Sequence, residues 1–249
     1  MTVTLDSTKF NMQMNALHDA FVGRGQMADA ANIVRDEARR FVHQAIRFTP
    51  PKSLSQGRKA VARDITHAMT PLRENFFRNE RVREMIREEN TEGIESFLKN
   101  SKGWKGWRVE KFAPDLHTKV RDRRGRVQRE KRVFILQLAK WKKYVREVQS
   151  RVGRMRAGWG PAAESLGLAL QSWVRRHTVR SGFVLNNLGN GQLPSITIGN
   201  TTKGISQIRH VVQSALNARS EAMGRRARLV LSGYAKDVAA GLRVRRRTR

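Results

Sequence analysis

The stretch MADAANIVRDEARRFVHQAIRFTPP, Met27 to Pro51, decides how the fold is read. Its apolar positions Ala30, Ile33, Val34, Ala38, Phe41, Val42, Ala45 and Ile46 recur at steps of three and four, which places them on one face of an α-helix. Asp29, Asp36 and Glu37 come early and Arg39, Arg40 and Arg47 late, the order that the helix dipole favours. Thr49-Pro50-Pro51 then stops the pattern, because proline has no N–H to donate and disfavours the helical conformation in the residue before it. The spacing predicts one long helix near the N-terminus.

Residues 10–22 form a short amphipathic stretch ending near Gly23 and Gly25. After a polar turn from Thr49 to Gly57, the residues Ala60, Val61, Ile65, Ala68 and Met69 predict a second, shorter helix that ends before Pro71. Leu72 to Lys99 is charged and reads as one or two surface helices packed by a narrow stripe, with Phe76, Phe77, Val82, Met85, Ile86, Ile94, Phe97 and Leu98 as its apolar positions. Gly125, within Asp122-Arg123-Arg124-Gly125-Arg126, marks a hairpin tip or a loop. From Val133 to Val152 the residues Phe134, Leu138, Trp141, Val145, Val148 and Val152 return to helical spacing, and Ala162 to Val174 reads as a further helix. Val179 to Asn187 and Leu193 to Gly199 are β-like runs around Gly189-Asn190-Gly191, a hairpin signal. Ile205 to Leu242 is a long helix with possible breaks at Gly224 and Gly233, and Arg243 to Arg249 is a flexible basic tail. The expected class is α+β, predominantly helical, with a small antiparallel sheet.

Charge divides the 249-residue chain more sharply than hydropathy does. The chain carries 50 Lys and Arg against 21 Asp and Glu, a net charge of +29. Residues 1–98 hold 15 against 13, and residues 99–249 hold 35 against 8. The organisation read from this is a near-neutral helical part, 1–98, a basic part, 99–242, co-folded with it as one domain, and the tail 243–249. Such an excess repels itself in a compact state, and a phosphate backbone is the commonest counterpart that offsets it. No cysteine is present, so neither a disulfide framework nor a thiolate metal site is expected. No run approaches the roughly 20 apolar residues needed to cross a bilayer, and Met1 to Phe10 has no signal-like apolar run. A soluble protein with no membrane association is expected.

Catalytic signatures are missing. His18, His43, His67, His117, His177 and His210 form no HxH or HExxH pair, so no metal site is expected. No Walker or dinucleotide-binding glycine loop is found, and no nucleophile elbow. Asp115 and Asp122 flank a basic segment, but the convergent carboxylates of a two-metal nuclease are not spaced for. The expectation is a protein that is not an enzyme and has no cofactor. Residues 99–156, in contrast, hold 20 Lys and Arg against 5 acids, with Trp104, Trp107, Phe112, Trp141 and Tyr144 interleaved. Cations there neutralise phosphates and aromatics can stack on bases. Trp141 lies on an apolar stripe and reads as core. No zinc finger, RNP1 motif or leucine zipper is present, so contact is expected with the backbone and not with sequence.

Several stretches carry a resemblance. TPPKSLSQGRKAVARDI, Thr49 to Ile65, follows the long helix; VGRMRAGW, Val152 to Trp159, precedes WVRRH, Trp173 to His177. PSITIGN, Pro194 to Asn200, leads into a helix containing ALNARSEAM, Ala215 to Met223. In this order they resemble minor tail and tail-completion proteins of tailed bacteriophages, including the minor tail protein Z group. The resemblance spans roughly Met27 to Met223 and is least clear over Leu72 to Arg132. It implies long helices at both ends packed on a small antiparallel sheet, and a homo-oligomeric ring, commonly of six subunits, at the neck of the virion. That ring would be assembled in the host cytoplasm around double-stranded DNA and beside other neck and tail proteins. On that expectation Lys119, Arg121, Arg123, Arg124, Arg126, Arg129, Lys131 and Arg132 face a polyanion, as do Arg243, Arg245, Arg246, Arg247 and Arg249. Trp104, Trp107, Trp159 and Trp173 are interface candidates. A sequence-independent nucleic-acid-binding or packaging protein is the alternative.

Overall fold

The computed structural model describes residues 27–100, 108–177, 182–188 and 194–247. In chain order the elements are α1 (Met27–Phe48), α2 (Leu54–Ala68), β1 (Met69–Pro71), α3 (Glu80–Arg87), α4 (Thr91–Lys99), β2 (Arg108–Glu110), α5 (Leu116–Lys119), β3 (Val133–Ile135), α6 (Leu138–Ser150), α7 (Arg154–Ala157), α8 (Gly160–Ser165), α9 (Ser172–Arg175), β4 (Gly182–Asn186), β5 (Ile196–Asn200) and α10 (Arg209–Arg247). The amphipathic stretch expected at 10–22 lies outside the described residues. The chain is mixed helix and sheet and mostly helical. It builds two compact units: residues 53–152 form one, inserted in sequence into another made from the residues on either side. The expectation beside which this division stands is one co-folded domain with parts meeting at residue 98. The units also ignore the charge boundary at residue 98, because each closes around its own apolar core.

In the interrupted unit, α1 buries Ala30, Ile33, Val34, Ala38, Phe41, Val42 and Ala45, the face its spacing predicts. Ala30, Ile33 and Val34 cluster with Met223 and Ala227, while Phe41, Val42 and Ala45 cluster with Ile208, Val212 and Ala215. The start of α1 thus meets the later part of α10, so the two helices run antiparallel. Fully burying a side chain such as Ile33 or Phe41 stabilises by about 1.5–3 kcal/mol. β4 and β5 pair antiparallel, with Phe183 opposite Gly199 and Val184 opposite Ile198. Val184, Ile196 and Ile198 pack on the same core, whereas Phe183 and Leu185 are exposed. The single helix expected over Ala162 to Val174 is instead α8 and α9. Gly167 takes a left-handed φ of 65°, and the Leu168 N–H turns back to the Ala163 carbonyl, which ends α8. Gly224 and Gly233 do not interrupt α10, which follows a 3-10 turn at Ile205–Ile208 and continues to Arg247, into the region expected to be a loose tail.

The inserted unit holds a sheet that hydropathy does not announce. β1, β3 and β2 lie in that order, all parallel, with Met69 and Arg108 both opposite Val133. Val133 to Ile135, expected to open a helix, is its central strand. Val133 and Ile135 point to one face and Phe134 to the other, a two-residue period that a window tuned to helix spacing absorbs. One face packs Val133, Ile135 and Met69 against α2, α5 and α6 through Ile65, Leu116, Trp141 and Val145. The other face packs Phe134 and Val109 against α3 and α4 through Val82, Ile86, Ile94 and Leu98. The unit is a helix–sheet–helix sandwich. Three of its helices, α2, α3 and α4, start on side-chain caps: Ser53 accepts from the Gln56 N–H, Asn79 from Arg81 and Asn90 from Gly93. The Ser53 cap is why α2 begins well before Ala60.

Candidate nucleic-acid interface

The basic segment after α5 forms a short hairpin. Arg121 bridges Val127, and Gly125 takes a left-handed φ of 78° at the turn. Asp122 organises the tip from inside. Its Oδ1 accepts the backbone N–H groups of Arg124 and Arg126 at 2.9 and 2.8 Å, and its Oδ2 accepts from Arg126 Nε at 2.9 Å. The Arg126 N–H and guanidinium hold the Asp122 carboxyl below the usual carboxylate range.

The base of the hairpin is fastened by a polar cluster. Arg121 Nη2 donates to Asp64 Oδ2 at 2.6 Å, its Nη1 to the Gly125 carbonyl at 2.7 Å and its Nε to the His117 carbonyl at 3.1 Å. His117 stands between Asp64 Oδ2, 3.1 Å from Nε2, and the Tyr144 hydroxyl, 3.1 Å from Nδ1. In the Nε2–H tautomer the imidazole donates to Asp64 and receives the Tyr144 proton. Burial, reinforced by the Arg121 charge, pushes His117 below its ordinary value. Burial works to raise Asp64, but Arg121 and His117 outweigh it and hold the carboxyl low. The cluster fixes the hairpin on α2 and α6.

The expected polyanion-facing residues therefore separate by role. Arg123, Arg124, Arg129 and Lys131 are exposed and form no ion pair among the described residues. Lys119 is exposed but pairs with Asp115 at 2.6 Å, and Arg126 pairs with Asp122. Arg132 contacts His67. Arg121 differs from these: its guanidinium is engaged by Asp64 and by the His117 and Gly125 carbonyls at the hairpin's base. Arg243, Arg245, Arg246 and Arg247 fall on the last turns of α10, with side chains outside the described residues, and Arg249 lies outside them altogether. Sequence reasoning missed the outward face of α6. Lys140, Lys142, Lys143 and Arg146 are all exposed there without an ion pair among the described residues. The signal is the run of lysines around Trp141, opposite the apolar stripe.

The aromatics near the hairpin are occupied. Trp141 is core, as its position on the stripe predicts, and its Nε1–H donates to the Met69 carbonyl. Tyr144 binds His117 and lies 5.5 Å from the Phe112 ring. Trp104 and Trp107 lie outside the described residues. Among the described residues no group of His, Asp and Glu is placed to hold a metal ion, and no helix is long and apolar enough to cross a membrane.

Of the interface candidates, Trp159 lies in the core and Trp173 is partly exposed. Trp159 is buried and its Nε1–H donates to Thr49 Oγ1 at 2.9 Å. Trp173 lies under the Arg156 guanidinium, 5.5 Å from ring centre to carbon, and packs on Gly153, where a Cβ would come within 2.8 Å of the ring. Arg156 is itself buried and donates to the Thr49 carbonyl from Nη2 at 2.6 Å and Nε at 3.0 Å. Asn200 donates to the Met155 carbonyl at 3.0 Å and crowds Gly158, where an added Cβ would lie 2.2 Å from its Oδ1. Thr49, the 153–159 segment, Trp173 and Asn200 thus meet at one node around Arg156. Four of the five stretches that carry the phage resemblance contribute to it. What they share is packing around this side chain.

No protein-family model, curated protein or solved structure matches the chain.

Proposed function

We propose that the chain is a structural protein of a tailed-phage virion that completes the tail at the head–tail junction. In this reading it assembles as a ring, and its hairpin meets the phosphates of duplex DNA without reading sequence. The observation that carries it is the hairpin region: Arg123 and Arg124 are exposed at a tip held by Asp122 and Arg121, and Arg129 and Lys131 are exposed on the 3-10 turn that follows. A pinned loop that presents free cations suits DNA that is parked or passing, since little side-chain ordering has to accompany each contact. The resemblance supplies the virion context, and the packed node around Arg156 gives its quoted segments a common structural purpose.

Cryo-EM of intact particles tests the reading: a ring of this chain at the neck is expected, and its absence from purified virions overturns it. A free packaging protein would use the same hairpin, and the exposed cations of α6 favour that second reading. It predicts tight, salt-sensitive duplex binding by a protein that never enters a particle.

A further inference from the structure

The two helical layers of the inserted unit differ in charge. Residues 74–99, the layer of α3 and α4, hold seven Asp and Glu against five Lys and Arg in a chain whose net charge is +29. Glu74, Glu80 and Glu95 are spent on Arg87, Arg83 and Lys99 within the layer, and Glu89 lies 3.9 Å from Lys111. Glu84, Glu88 and Glu92 are exposed and form no ion pair among the described residues. On α3 the helical period sets Glu84 and Glu88 opposite the buried Val82 and Ile86, with Arg81 at their flank. Phe76, beside this layer, is 63% exposed.

Across the sheet, α6 presents the opposite sign. Lys143 and Arg146 stand opposite the buried Trp141 and Val145, with Lys142 alongside, all exposed and unpaired among the described residues. One unit therefore shows unneutralised carboxylates on one helical layer and unneutralised cations on the other.

We propose that the α3–α4 layer of one copy docks on the outward face of α6 in a second copy. The occupant is argued from charge complementarity within the chain itself. The hairpin cations remain free for a polyanion, since the docking uses α6. Because the two surfaces differ, the contact is heterologous, and it generates a ring if the rotation closes and a filament if it does not. The inference deepens the ring reading and rests on it only for the expectation of closure. Opposite charge also speeds encounter and makes the association weaken as salt rises.

The test is a charge swap in the full chain, read by analytical ultracentrifugation at low and high salt. E84K/E88K/E92K leaves cations on both layers, and K142E/K143E/R146E leaves carboxylates on both. All six positions are exposed, so the fold should persist, as circular dichroism will check. The wild type is expected to associate, each triple variant alone to sediment as a single chain, and an equimolar mixture to associate again in alternation. A monomeric wild type, unaltered association of either variant, or a mixture that stays monomeric overturns the proposal. Duplex binding measured on the same variants separates the two readings. Lost self-association with the hairpin's salt-dependent binding intact confirms that α6 serves protein contact. Lost DNA binding by the α6 variant with self-association intact assigns that face to nucleic acid and overturns the docking.

Discussion

Replacing Arg156 by alanine tests the most heavily used buried side chain in the structure. Its guanidinium makes two hydrogen bonds to the Thr49 carbonyl, at the C-terminal end of α1, and lies over the Trp173 ring. A hydrogen bond involving a charged group contributes about 1.5–3 kcal/mol, and stranding a buried carbonyl costs about 1–3 kcal/mol, two descriptions that partly overlap. Losing the stack over Trp173 adds about 0.5–2 kcal/mol. Against these stands relief from burying a cation with no carboxylate among its described partners, a cost visible in the lowering of the Arg156 pKa by burial. The net expectation is a loss of about 3–4 kcal/mol. With a urea dependence of about 2 kcal/mol per molar, the unfolding midpoint falls by about 1.5–2 M. Arg156→Lys should recover only part of this, since an ammonium lacks the planar fork that reaches one carbonyl twice and stacks on indole. Urea unfolding, with amide exchange at the end of α1 to locate the effect, is the assay. A midpoint shift below about 0.5 M for the alanine variant would refute the account of Arg156 as the cap of α1.

Replacing Arg123, Arg124 and Arg129 together by alanine should make the slope of log K for duplex binding against log salt less negative by about 2.7, at about 0.9 for each phosphate no longer neutralised; an unchanged slope in a filter-binding or fluorescence titration shows that the tip does not meet DNA. Stability should fall on acidification. His117 is depressed from 6.5 in the folded chain, so the unfolded chain takes up its proton first, and stability drops as pH falls through 6.5 toward the folded value. His117→Gln should flatten that part of the profile of urea midpoint against pH, leaving the loss below about pH 4 that the lowered Asp64 carboxyl produces. Gly158→Ala forces a methyl group against Asn200 and should cost about 1–3 kcal/mol by thermal or urea unfolding, because the neighbour is itself tied to Met155.

The sequence made the long elements legible and hid the short ones. α1 could be read to its boundaries because a long apolar stripe ends on two prolines, and β4 and β5 because two alternating runs flank the sequence Gly189-Asn190-Gly191. The parallel sheet could not be read, since each of its strands is three residues long and carries no more than one full alternation. Its neighbours in the sheet are also distant in the chain, and nothing local specifies them. The hairpin at Gly125 was legible from its glycine between charges. The engagement of Arg121 was not, because Asp64 lies 57 residues away. Trp159 illustrates the same limit: tryptophan beside arginine and glycine fits an interface as well as a core, and Thr49, 110 residues away, holds it in the core.

The insertion of one unit into the other fixes an order of events during synthesis. Among the described residues both cores of the inserted unit draw only on residues 53–152, so that unit can close as soon as it has left the ribosome. α1 is made earlier and must wait longer, because its partners extend to Ala227. At about 5–20 residues per second the interval between Phe48 and Ala227 is on the order of ten to forty seconds. For that time the apolar stripe of α1 is uncovered, and Glu37, later ringed by Arg40, Arg219 and Arg226, has only its own helix beside it. A helix translated early is thus among the last to be sheltered, and it is the segment of this chain with most to gain from a chaperone.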